Sequence, residues 1–185
     1  ERYEKELFPI AANTPSKVIL YGGNIDSLLV NPKMFEKYYL PTYEKLAKML
    51  HSKDKLLDVH MDGKLKALSR HIAVSKVDII EAFTPPPTGD LPLEEALAQW
   101  ENKIVWINFP SAISTAQGPN PEKVKKFLIE LLKKSIPYSN RIMVIASTEN
   151  IVPDENLIAM AEVMEKTKSP LNENIIEDIK KMCLN

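Results

Sequence analysis

One cysteine is present, Cys183, near the end of 185 residues. It has no partner for an internal disulfide, and a reducing, cytoplasmic setting is the natural expectation. Charge of either sign is in no excess: 24 Lys and Arg against 25 Asp and Glu leave a formal net charge of -1. No basic surplus suits a nucleic acid, and no basic amphipathic helix suits a membrane surface. No apolar run approaches the roughly 18 residues of a membrane span. The opening residues, ERYEKELF, are charged and hold no signal-peptide core. None of the 5 glycines builds a GxGxxG or GxxxxGKS/T loop after a strand, so the usual phosphate cradles are missing.

What is there suits one globular domain over residues 1–185: 44% apolar and 26% charged residues, enough for a real core. Periodicity predicts helices over 1–12, 32–50, 64–74, 93–100, 122–134, 155–166 and 174–182. Pro41 is expected to kink or divide the second of these. Short β-branched runs predict strands over 17–21 (KVILY), 56–60 (LLDVH), 77–83 (VDIIEAF), 104–109 (IVWINF) and 141–146 (RIMVIA). Strand and helix alternate about five times, which argues for a parallel sheet. A (β/α)8 barrel needs about eight such units and typically ~250 residues. Five units cannot close one. The chain opens on Glu1 rather than methionine, so the expected fold is α/β, the C-terminal part of a (β/α)8 barrel with about five parallel strands.

The stretch LLDVHMDG (56–63) organises the candidate chemistry. His60 and Asp62 are two apart at a strand end and so project to one side, and Gly63 lets the backbone turn. Other polar residues gather at strand C-termini too: Asn24 and Asp26, Glu81, Asn108, then Glu149 and Asn150. Ligands of barrels and doubly wound sheets bind beyond those ends. His60, Asp62 and Glu149 supply one nitrogen and two oxygens for a divalent metal, with Glu81 as fourth ligand or as orienter of a ligand. Each residue has a plainer alternative. Glu81 is a strand-end carboxylate holding loop N–H groups, Glu149 a helix cap, Asp26 a turn clamp, and Trp106 and Phe83 packing. His51 and His71 read as surface or helix-end residues. Met34, Met49, Met61 and Met143 read as core filling. The loop TPPPTGDLP (84–92) is proline-stiffened and sits where a lid over the site would sit.

These residues resemble the uroporphyrinogen decarboxylase superfamily, which includes zinc-dependent methyltransferases acting with methylcobalamin and coenzyme M. The resemblance runs from about Gly23 to Glu165. It is carried by Asp26-Ser27, NPKMFEKYYLPTYEKL (31–46), HMDG (60–63) and VDIIEAFTPPPTGDLPLEEA (77–96). It implies a (β/α)8 barrel whose last five strands lie here. The methyltransferases carry His-x-Cys-Gly at a strand end and a second cysteine before an Ile-x-Pro. His60 and Gly63 match, Asp62 stands at the first cysteine, and Glu149 stands near the second, ahead of Ile151-Val152-Pro153. The decarboxylases' Gly-Asn-x-Asp-Pro and Gly-His-Gly are absent at 107–111 and 147–150.

Oxygen donors in place of thiolates make a harder site, suited to polarising oxygen. The expectation is therefore metal-assisted methyl transfer to or from a corrinoid protein, with an oxygen-bound methyl group as the donor that suits such a site. Zinc is the expected metal and a small methylated molecule the substrate. His60, Asp62 and Glu149 are the expected ligands, Glu81 and Asp26 the catalytic groups, and Asn24, Asn108 and Trp106 the substrate wall. The alternatives are a tetrapyrrole decarboxylase and an inactive or structural half-barrel. In either case the open barrel edges await an N-terminal half or a second copy.

Overall fold

A computed structural model describes residues 2–115, 118–145 and 151–184. Helix α1 (Arg2–Asn13) leads into strand β1 (Val18–Tyr21). A continuous helical arm follows, made of α2 (Pro32–Met34), a π-helical turn (Phe35–Tyr39) and α3 (Leu40–His51). Asn31 caps it, its side chain accepting from the Met34 N–H, and Pro32 occupies the first turn, where no N–H is needed. Pro41 does not break this arm. The wider π turn ends just before it, with the Leu40 N–H bonded to the Phe35 carbonyl, so the ladder is re-spaced where proline lacks a donor.

Strand β2 (Leu56–His60) is followed by a 3-10 turn (Lys66–Leu68) and α4 (Ser69–Val74). This helix starts later than periodicity predicts, because the Leu65 and Lys66 N–H groups are taken by Asp90 Oδ1, at 2.9 Å each. Next come β3 (Ile79–Phe83), α5 (Leu93–Gln99), β4 (Ile104–Asn108), a short α6 (Ser111–Ser114) and α7 (Pro121–Lys134). Strand β5 (Ile142–Ile145), α8 (Asp154–Lys166) and α9 (Glu173–Cys183) end the chain. The sheet is all parallel and its order is the chain order, β1-β2-β3-β4-β5. The five expected strands are all present. β1 and β5 are its edges.

The core lies between one face of the sheet and the helices. Leu57, Val59 and Met61 from β2 and its exit pack with Leu46 and Leu50 of α3, all fully buried. Phe83 meets Trp100 edge-on at 5.6 Å, and the Trp100 indole N–H donates to the Ser69 carbonyl. Phe83 is thus packing, as its plainer reading had it. Met61 fills the core and Met49 packs against it, but Met34 and Met143 stand exposed.

The N-terminal ends of the strands are fastened by three cations, of which Lys55 and Lys103 are buried. Lys55, just before β2, donates to the Thr14 and Ser16 carbonyls. Lys103, just before β4, donates to those of Ser75 and Val77, and burial pulls its pKa down. Arg141, just before β5, binds the carbonyls of Trp100, Lys103 and Leu97. Each satisfies carbonyls at the ends of neighbouring helices and loops, that of Trp100 in addition to its bond from the Lys103 N–H. His51, the last residue of α3 and exposed, as its surface or helix-end reading had it, binds Asp78 at 2.8 Å, and Asp78 also accepts from the Leu57 N–H. His71 lies beneath Phe35, with its Nδ1 buried and without a partner among the described residues.

Candidate functional site at the strand C-termini

Register decides which side chains share the sheet face turned away from the helices. His60 is paired with Glu81, and Asp58 with Ile79, so His60, Glu81 and Asp58 share that face. Trp106 and Asn108 follow on β4, opposite Met143 and Ile145 of β5. The site is therefore built across β2, β3 and β4, at their C-terminal ends.

Its centre is the contact of His60 Nδ1 with Glu81 Oε2. Both side chains are partly buried, at 28% and 19% exposure. A carboxylate behind Nδ1 fixes the ring and leaves Nε2 as its other nitrogen, the arrangement that ligating or proton-transferring histidines use. A backbone irregularity helps aim Glu81. Ile80 pairs with Val105 but Phe83 with Ile107, so β3 holds one extra residue, and Ala82 takes a positive φ of 63°. This bulge returns Phe83 to the core side while Glu81 stays on the open face. Alanine carries a conformational cost there, and such cost is typical beside sites.

One layer deeper, Asp58 is 3% exposed, and its Oδ1 has no hydrogen-bond partner among the described residues. Burial, then the negative charge of Glu81, pushes its carboxyl up to about 6, against the opposing pull of the Val59 N–H and His60. The sequence reading passed over Asp58, which looks like an interior strand residue. The signal was the i, i+2, i+4 row Asp58, His60, Asp62.

Above this layer the exit loops hold one another. Asp62 Oδ1 accepts from the Thr84 hydroxyl at 2.8 Å, and the Asp62 N–H donates to Asn24 Oδ1 at 3.1 Å. Asn24 thus fixes the backbone of Asp62. Asp26 is occupied differently from its expected catalytic role. Its Oδ1 accepts from the Leu28 N–H at 2.6 Å and its Oδ2 from the Lys64 N–H at 3.1 Å. Both oxygens satisfy backbone donors in two loops, which makes Asp26 the turn clamp of its plainer reading. Gly63 is required beside it, because its φ is +77° and a Cβ would lie 2.1 Å from Asp26 Oδ2. The 84–92 loop is docked on its neighbours rather than poised above them. A Cβ on Gly89 would stand 1.9 Å from the Thr84 carbonyl oxygen and 2.8 Å from that of Gly63. The Thr88 hydroxyl accepts from the Ala112 N–H. Thr84, Gly89 and Asp90 were missed because their partners are distant in sequence.

The expected ligand set is only partly assembled. His60 has the backing carboxylate of a metal ligand, and Asp62 keeps Oδ2 beyond its bond to Thr84. The third expected ligand, Glu149, lies outside the described residues, as does Asn150. Among the described residues no three His, Cys, Asp or Glu side chains form a metal-holding group. Asn108 is buried at the end of β4, and Trp106 is partly buried on the open face and outside the helix-side core. Among the described residues no helix is long and apolar enough to cross a membrane. Comparison with protein-family models, with curated proteins and with solved structures gives no match.

Proposed function

We propose that this chain is the C-terminal part of a (β/α)8 barrel resembling the uroporphyrinogen decarboxylase superfamily, and that it works in metal-assisted methyl transfer with a corrinoid protein. The observation that carries the reading is the His60–Glu81 contact at the mouth of the parallel strands, with Asp62 two residues beyond it. His60 through Nε2, Asp62 and Glu149 would hold the ion, and Glu81 orients the imidazole. A bound divalent ion supplies Lewis-acid stabilisation of the charge left on the atom that releases the methyl group. The chain's own part is positional. Asn24 pins the Asp62 backbone, Thr84 holds one of its oxygens, and Trp106 and Asn108 line the neighbouring wall for a small methylated substrate.

A tetrapyrrole decarboxylase is less well supported. Its substrate is polyanionic, yet the strand positions of the open face carry Asp58 and Glu81 and no lysine or arginine. A structural half-barrel without activity draws on the open sheet edges alone. The test is metal analysis of the zinc-supplemented protein, with and without His60→Ala plus Asp62→Ala, alongside methylation of cob(I)alamin from methylated donors. The reading expects about one ion per chain and a loss of affinity of at least about tenfold in the double variant. No bound divalent ion in the supplemented protein removes the mechanism.

A further inference from the structure

Asn108 closes β4 on the open face and is 8% exposed. Neither its Oδ1 nor its Nδ2 is hydrogen-bonded among the described residues. Unlike Asp58 Oδ1, neither atom is sealed from solvent. The other buried asparagine, Asn156, is fully engaged. Its Oδ1 accepts from the Asn120 N–H, and its Nδ2 donates to the Ser114 and Gly118 carbonyls. A largely buried amide with two donors and an acceptor idle is costly, and native folds normally meet such groups. This fold leaves the partner of Asn108 to whatever enters the mouth, and water fills that role until a ligand takes it.

The surroundings of Asn108 select the chemistry of that ligand. Phe83 pairs with Ile107, so the residues after them, Thr84 and Asn108, leave neighbouring strands side by side. The Thr84 hydroxyl is taken by Asp62 Oδ1, and Glu81 by His60. No lysine or arginine occupies a strand position of this face. A carboxylate, sulfonate or phosphate on the ligand would therefore meet Asp62 and Glu81 with no cation to hold it. A cationic group would go to those carboxylates and leave the amide donors idle. An uncharged group that answers a donor and an acceptor together is another primary carboxamide, through two antiparallel N–H···O bonds. We propose that Asn108 recognises a primary carboxamide on the substrate, and so makes this mouth select uncharged over anionic ligands. The proposal rests on the reading of the strand mouth as a substrate site and adds the substrate's chemical class. Trp106, two residues earlier on the same face, offers the ring against which the methylated end lies.

The test uses the 185-residue chain, metal-free and zinc-loaded, with probes on one skeleton: methoxyacetamide, methoxyacetate and N,N-dimethyl-methoxyacetamide. Binding is read by NMR from the Asn108 side-chain amide and the Trp106 indole N–H. Methoxyacetamide is expected to shift both saturably in the millimolar range. It should bind at least about tenfold more tightly than methoxyacetate, which is charged, or the dimethyl amide, which has no N–H. In Asn108→Leu, read through Trp106, amide binding should fall at least about tenfold while the urea midpoint stays level or rises. An amide that serves only the fold would do the reverse, so a lowered midpoint or undiminished binding in that variant overturns the proposal. Methoxyacetate binding as tightly as methoxyacetamide overturns it too, as does the absence of any saturable shift. Zinc binding and cob(I)alamin methylation on the same samples separate this failure from that of the methyl-transfer reading. A chain that binds zinc and methylates cob(I)alamin without preferring the carboxamide removes the proposal alone, whereas a carboxamide preference without zinc binding removes the metal mechanism and keeps the ligand class.

Discussion

Glu81 Oε2 sits against His60 Nδ1 across the β2–β3 register, so the ring is held by a neighbouring strand and not by a loop. The two strands are paired by backbone bonds on both sides of this contact, with the Met61 N–H bonded to the Glu81 carbonyl. The imidazole therefore inherits the rigidity of the sheet.

Glu81→Ala should release that ring. Long-range nitrogen NMR is expected to show one dominant His60 tautomer in the protein, with the proton on Nδ1, and a mixture in the variant. The loss of a charge-assisted bond should lower stability by about 1–3 kcal/mol in urea unfolding. An unchanged tautomer ratio would mean that another group sets the ring.

The glycines divide sharply by what surrounds them. Gly23→Ala should be close to neutral, since nothing lies within 4 Å of its Cβ position. Gly22→Ala should cost about 1 kcal/mol, from its φ of +95° alone. Gly63→Ala and Gly89→Ala, whose added carbons meet Asp26 and the Thr84 carbonyl, should each cost at least about 2 kcal/mol. Urea midpoints for the four variants check the order. A mild Gly89→Ala would mean that the 84–92 loop is not docked as described.

Asp58 gives a pH dependence whose sign is fixed. Its carboxyl is raised from 3.8 to about 6, so between those values the folded chain binds more protons than the unfolded one. The penalty is absent below about pH 4 and complete above about pH 6. Metal-free protein should therefore lose stability as pH rises through this window. Asp58→Asn should flatten that part of the profile and stabilise by about 1 kcal/mol at pH 8, less than a dry interior would give because the open face admits water. His60 and Glu81 face Asp58 and remain in both proteins, so the difference between the two profiles isolates Asp58. A variant that is less stable at pH 8 would contradict the account.

Much of the fold was legible because strands and helices are local patterns. The strand over 104–109 and the helix over 122–134 agree with β4 and α7 to within a residue at each end. The capping of Asn31 and Pro32 was readable for the same reason. What escaped depends on residues far apart in the chain. Asp90 delays α4 from across 24 residues, and Asp26 clamps Lys64 from across 38. The bulge at Ala82 was invisible because alanine does not advertise a positive φ as glycine would. In the candidate site, the His60–Asp62 spacing singled out the C-terminal end of β2. The partner that structure gives His60 is Glu81, and only register could supply it.

The order β1-β2-β3-β4-β5 has a consequence for how the molecule is made. Among the described residues each strand pairs only with its neighbours in chain order. During translation every new unit finds its template already laid down, and none has to wait for a distant segment to emerge. Assembly can advance with the ribosome, one crossover at a time, keeping the slow long-range searches of parallel sheets short.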